Sequence, residues 1–180
     1  KRMHSVSNFF NSKRYWPLLA AVSVAMLGIA LFYQYALGEE PCQVCIQARL
    51  WVVALLLISL CTACLPNNRR TRFWGNTFVL LSTAGLGERA WFLYQLENGQ
   101  GNGSCEFQLG MPDWFAVDRW FPSLFEVRNL CSFTPEMLFG LSMAEALMAV
   151  AVALSVVIVV ALAANQIFTS TAPSAPGPQR

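Results

Sequence analysis

Charge is what this chain has least of. Asp, Glu, Lys and Arg make up 12% of its 180 residues and hydrophobic residues 56%, whereas a soluble domain carries about 25% charged residues. That shortage excludes an ordinary water-soluble domain. The formal net charge is only +2, and no basic tract alternates with aromatics, so nucleic acid is excluded as a partner. Histidine occurs once, as His4. No small-x-small site closes the first apolar run convincingly, and that run is longer than a secretory core of about 7–15 residues. It is therefore read as an uncleaved span despite Lys13 and Arg14 in front of it.

What the chain has instead is apolar length. A bilayer needs about 20 residues at 1.5 Å rise each. Four stretches qualify: 15–37, 44–65, 73–96 and 141–167. The third carries Glu88 and Arg89 in its last third. The expectation is an all-α membrane protein, a four-helix transmembrane bundle over 15–167, with loops at 38–43 and 97–140 and a short interfacial helix in the second loop. Residues 1–14 form the N-terminus, and 168–180, rich in Pro, Ser and Ala, a disordered tail.

Orientation follows from Lys and Arg in the short loops. Lys1, Arg2, Lys13 and Arg14 precede the first span, and Arg69, Arg70 and Arg72 lie between the second and third. The other side carries Glu39, Glu40 and most of the remaining acids. Both termini are thereby expected in the cytoplasm. The 38–43 and 97–140 loops face outward, which in a bacterium is the disulfide-permissive periplasm.

Six cysteines then sort by position: Cys42, Cys45, Cys105 and Cys131 on the oxidising side, Cys61 and Cys64 near the cytoplasmic end of the second span. Cys61-Thr62-Ala63-Cys64 is spelled like a redox motif, but its place favours small apolar packing residues. Pro41-Cys42-Gln43-Val44-Cys45 opens a helix, where unpaired N–H groups and the dipole favour a thiolate. A structural disulfide fits the same spacing. Zinc fits less well, because Cys105 and Cys131 are far apart and zinc takes tight ligand pairs. Arg49 falls four residues after Cys45 and seven after Cys42, on one helix face. An arginine inside an apolar span costs about 2.5–3.5 kcal/mol on insertion scales, and such residues usually carry function. Snorkelling to the interface is the plainer alternative. Beside two thiols, the favoured role is a hydrogen bond to a quinone carbonyl oxygen where negative charge develops.

The second outer loop runs from the flexible 98–104 segment, Asn-Gly-Gln-Gly-Asn-Gly-Ser, into Cys105. Between Cys105 and Cys131, residues Trp114, Val117, Phe121 and Leu124 fall at helical spacing. That reads as a helix lying in the membrane interface, ended or kinked at Pro122. A small packed cap on the bundle is the alternative.

These residues together resemble the DsbB family of bacterial disulfide bond formation proteins. The matching features are Pro41-Cys42-x-x-Cys45-x-x-x-Arg49 at the second span, Cys105-Glu106-Phe107, Pro112-x-Trp114, Asp118-Arg119-Trp120, Pro122 and Cys131. The resemblance implies an inner-membrane dithiol:quinone oxidoreductase. Its implied partner is a periplasmic thioredoxin-fold oxidase of the DsbA type, met through Cys105. Cys131 would carry electrons inward to Cys42–Cys45, with Cys45 as the thiolate beside Arg49 and ubiquinone or menaquinone as acceptor. Each step is thiol–disulfide exchange. Some relatives have a histidine near the outer end of the third span. This chain reads Leu93-Tyr94-Gln95-Leu96-Glu97 there, which makes Glu97 the positional candidate for a second polar contact to the quinone. Glu88 and Arg89 are adjacent and so are not expected to face each other; with Glu145 they are read as structural.

Two alternatives stand beside this reading. A four-span quinone reductase resembling vitamin K epoxide reductase uses the same logic, but its cysteine pairs come in the opposite order. A non-enzymatic tetraspan scaffold with two inert disulfides predicts that Arg49→Ala and Cys45→Ser alter stability and remove no activity.

Overall fold

The computed structural model of the chain describes residues 10, 12–100, 109–128 and 142–170, and its elements among these are all helical. In chain order they are α1 (Tyr15–Ala36), α2 (Gln43–Cys64), α3 (Arg69–Glu97), a 3₁₀ turn (Asp113–Phe115), α4 (Val117–Trp120), α5 (Pro122–Phe125) and α6 (Met143–Ser170). The four long helices fall where the apolar runs predict. The last one continues to Ser170, past the expected start of the tail at 168.

Local chemistry sets the ends. Cys42 is the N-cap of α2 in an extended conformation, and its sulfur accepts the Cys45 N–H at 3.3 Å. Leu65 is extended at the other end, as the following Pro66 demands. α3 closes on Gly99 at φ +68°. Its N–H donates to Leu96 O at 3.1 Å and that of Gln100 to Gln95 O at 3.0 Å, the two bonds of a Schellman motif. α6 opens with a reciprocal capping box: Ser142 N–H donates to Glu145 Oε2 at 3.0 Å and Glu145 N–H to Ser142 Oγ at 3.2 Å. Glu145 is structural, as expected.

α3 packs against both α2 and α6, and α1 against α2. At the end away from Cys42, Tyr15, Trp16, Leu55, Val79 and Ile158 form one buried cluster drawn from all four long helices. Close approach there depends on Gly75, where an added Cβ would lie 2.7 Å from the Trp16 ring and 2.9 Å from Thr62. Ala48, Val52, Leu86 and Ala151 fill the middle. The outward faces stay apolar, with Phe32, Leu81, Val152 and Val156 among the exposed side chains.

Among the described residues, three helices are long and apolar enough to cross a membrane: Tyr15–Ala36, Gln43–Cys64 and the Met143–Ala164 part of α6. α3, expected as a span over 73–96, is the longest of the described helices at 29 residues. It is not among the three, because Arg69, Arg70, Arg72, Asn76, Glu88 and Arg89 dilute its apolar content.

The segment 109–128 differs from the single interfacial helix expected there. It breaks at Phe121, whose φ of −134° and ψ of 66° lie outside the helical region. The cause is Pro122: its ring pushes the preceding residue out of the α conformation, and it lacks the N–H that would extend α4, yet it suits the first position of α5. Val117 and Phe125 turn inward with Leu109 onto Ile46 of α2, while Trp114 is 77% exposed and Trp120 and Phe121 are also exposed.

Candidate functional site

Cys42 and Cys45 form a disulfide across the first turn of α2, with Cα atoms 5.1 Å apart. Both are buried, at 2% and 6% exposure. Val44, Leu93 of α3 and Ala144 of α6 pack around them. The N-cap geometry makes Cys42 sulfur the acceptor of a backbone N–H, which favours negative charge on that atom once the bond is reduced.

Arg49 lies one turn deeper and is 7% exposed; it does not snorkel. Its NH1 donates to Gln34 Oε1 at 2.6 Å and to Leu124 O at 3.1 Å. Its NH2 donates to Ala30 O at 3.3 Å. The buried Nε has no partner among the described residues. Cys45 and Arg49 line one narrow cleft of about 40 Å³ whose other walls are apolar, with Met26 and Leu27 from α1 and Met143 and Leu147 from α6.

The other expected site residues fall as follows. Glu97 ends α3, half-buried, and the cleft's lining does not include it. Leu93 brings that helix to the disulfide instead. Cys105 and Cys131 lie outside the described residues, as do 1–9 and 171–180. Arg128, three residues before Cys131, donates its backbone N–H to Pro41 O at 3.0 Å. Its guanidinium bonds Glu126 at 3.1 and 2.8 Å, which holds the Arg128 pKa above its ordinary value.

Two expectations need correction. Cys61 and Cys64 are unpaired and exposed on α2 rather than packed. Glu88 and Arg89 do meet: Arg89 Nε and NH2 reach the Glu88 carboxylate at 2.5 and 2.8 Å. The spacing rule describes Cβ directions, and two long side chains swing past it. Arg89 NH1 also donates to Gln47 Oε1 at 3.1 Å, and Gln47 Nε2 to Leu109 O at 3.2 Å. This trio borders a groove of about 660 Å³ between α2, α3 and the aromatic 111–125 segment. Sequence reasoning missed Gln34 and Gln47. Their one signal is an uncharged polar side chain near the end of an apolar run.

Among the described residues, an all-helical architecture with three apolar helices of spanning length, and a Cys-x-x-Cys disulfide at the mouth of one of them, defines a thiol–disulfide protein of the membrane. Comparison with known proteins narrows the class. The model of the family described as disulfide bond formation protein DsbB matches residues 12–161. The chain is 32% identical over 136 residues to "Disulfide bond formation protein B 2" of Pseudomonas aeruginosa, covering 74% of this chain and 80% of that one. It is 31% identical over 144 residues to "Disulfide bond formation protein B" of Shewanella loihica, covering 79% and 84%. A Pseudoalteromonas atlantica protein of the same name is 29% identical over 154 residues, covering 82% and 87%. The chain belongs to the DsbB family of disulfide bond formation proteins.

Proposed function

We propose that the chain is a dithiol:quinone oxidoreductase of the bacterial inner membrane that reoxidises a periplasmic thioredoxin-fold partner of the DsbA type. In this reading α3 crosses the membrane with the other three long helices as a four-helix bundle. Its charged Glu88–Arg89 pair is tolerated because the two neutralise each other. Both termini are cytoplasmic.

The observation that carries the reading is the shared cleft: Cys45 of the buried disulfide and the buried Arg49, whose Nε has no partner among the described residues, stand together between apolar walls. These residues fit a quinone. Arg49 supplies a hydrogen-bond donor and positive charge for a carbonyl oxygen, and Met26, Leu27, Met143 and Leu147 supply apolar contact. The space of about 40 Å³ suits one or two waters, so a ring enters only as the flexible methionine side chains of α1 and α6 swing aside. A bound ubiquinone or menaquinone would supply a sink for two electrons and two protons.

The chain's own part is thiol exchange. The partner's thiolate attacks the Cys105–Cys131 disulfide at Cys105, its second thiol closes the partner's disulfide, and Cys105 and Cys131 leave reduced. Cys131 then attacks Cys42, releasing Cys45 as a thiolate next to Arg49. Cys105 displaces Cys42, which restores the outer disulfide and leaves the inner pair reduced. Chain reach supports the inward step. Cys131 is three residues past Arg128, whose N–H is bonded to Pro41, and three extended residues span about 11 Å at most.

The test uses purified full-length protein, a reduced partner and a soluble quinone. Cys42→Ser, Cys45→Ser, Cys105→Ser and Cys131→Ser should each abolish partner-dependent quinone reduction, and Cys105 should be the residue trapped in the mixed disulfide. Turnover that survives Cys42→Ser or Cys105→Ser refutes the relay.

A further inference from the structure

One hydrogen-bonded knot joins the cleft to the 109–128 segment, and Gln34 stands at its centre. Gln34 Oε1 accepts from Arg49 NH1 at 2.6 Å, while its Nε2 donates to Ser123 O at 3.4 Å. The Tyr35 hydroxyl donates to the same Ser123 oxygen. Arg49 NH1 donates in turn to Leu124 O.

A guanidinium is a rigid plane with five N–H donors. Both hydrogens of NH1 are engaged by Gln34 and Leu124, and one of NH2 by Ala30. Fixing three corners of a plane fixes the direction of the rest, including the unpartnered Nε–H. Of the three acceptors, only Gln34 is a side chain, and it makes the shortest bond. The carbonyl of Ala30 is part of α1 and that of Leu124 moves with the outer segment.

We propose that Gln34 is a positioning residue with two linked tasks. Through Arg49 it holds the guanidinium in the orientation that presents a donor beside Cys45. Through Ser123 it latches the backbone of the segment that leads to Cys131. One side chain thus serves both the acceptor cleft and that segment, through two separate groups, its Oε1 and its Nε2. This inference rests on the reading that Arg49 serves a quinone oxygen.

Four variants of the full-length protein in detergent micelles test it: Arg49→Ala, Gln34→Ala, Gln34→Glu and Tyr35→Phe. Two readouts are taken, the KM for a soluble short-chain quinone with reduced partner, and amide hydrogen exchange over residues 122–128 in quinone-free protein. Gln34→Ala should raise the quinone KM about tenfold, the order for losing one hydrogen bond to a charged group, with kcat little changed and faster exchange. Gln34→Glu keeps an acceptor for Arg49 but loses the donor to Ser123, so KM should return towards wild type while exchange stays fast. Tyr35→Phe should speed exchange and leave KM alone. If Arg49→Ala leaves both kcat and KM for the quinone unchanged, the quinone reading itself fails. If Arg49→Ala raises KM and Gln34→Ala does not, the positioning role fails alone. Exchange that is unmoved in both Gln34 variants refutes the latch.

Discussion

Replacing Arg49 with methionine separates function from stability more cleanly than any other single change. Methionine keeps most of the length and apolar stem and removes all five donors. Three hydrogen bonds disappear, to Gln34 Oε1, Leu124 O and Ala30 O. Ala30 lies inside α1 and its carbonyl keeps an intrahelical partner, so only the other two acceptors are left bare. Two bonds from a charged donor are worth about 3–6 kcal/mol together. Against that, a buried cation no longer has to be desolvated, which is worth several kcal/mol in the opposite direction. The terms nearly cancel. The net change in folding stability should be about 1–2 kcal/mol, a shift of roughly 2–8 °C in Tm for a chain of this size.

Turnover should respond on another scale. Removing one fixed donor from an oxygen that gains charge costs about 10²–10³ in rate, or roughly 2.7–4 kcal/mol. Quinone reduction, followed by absorbance with reduced partner in excess, should therefore fall at least a hundredfold in Arg49→Met. The first exchange, partner with the outer pair, should keep its rate in a rapid-quench assay. Arg49→Lys should recover part of the activity, since a point charge remains but the planar fork does not. Arg49→Met protein that melts early yet turns over within about threefold of wild type, far short of the loss expected for a fixed donor, would refute the reasoning and leave Arg49 a structural residue.

Other outcomes follow from the packing. Gly75→Ala pushes a methyl into the Trp16 ring and Thr62 and should destabilise the chain by about 1–3 kcal/mol in thermal unfolding, with quinone KM unchanged. Ser142→Ala removes half of the α6 capping box and should cost about 1 kcal/mol, read as a lower Tm. The pair Cys61→Ala and Cys64→Ala should leave turnover intact. In the wild-type protein those two thiols, unpaired, should be labelled by maleimide in denaturing detergent before any reductant is added. The buried Cys42 and Cys45 should label only after reduction.

Long helices were legible because apolar runs of bilayer length have few other uses. α1, α2 and α6 needed no tertiary information. α3 was legible as a helix, but its charges set it apart from the three evident spans, and only packing against α2 and α6 shows how it is accommodated. Pro41, the Cys-x-x-Cys and Arg49 were legible because one helix face carries both thiols and the cation. Arg49's partners were not. Gln34 is 15 residues away and Leu124 is 75, and the latter is a backbone carbonyl that no side-chain pattern encodes. The break at Phe121 could have been placed from Pro122, whereas the Glu88–Arg89 pair was lost to a rule about Cβ spacing. Cys61 and Cys64 were misplaced because a small apolar residue in a span reads the same whether it faces protein or lipid.

Burial of the inner disulfide carries a consequence for any activity on proteins. At 2% exposure, Cys42 offers no line of approach to the thiolate of a folded partner, since in-line attack on a disulfide needs the sulfur at van der Waals contact. Opening the site from outside would disrupt the packing of Val44, Leu93 and Ala144 around it. A protein substrate can therefore exchange with this pair only through a thiol carried on a thin strand of the chain itself. Cys131 follows three residues after Arg128, whose N–H is bonded to Pro41 O. On this account the outer cysteines are a steric necessity. In the proposed relay, excluding bulky dithiols from the sulfur beside Arg49 fixes the order of exchange, partner with outer pair and outer pair with inner pair, while the acceptor's potential would set its direction.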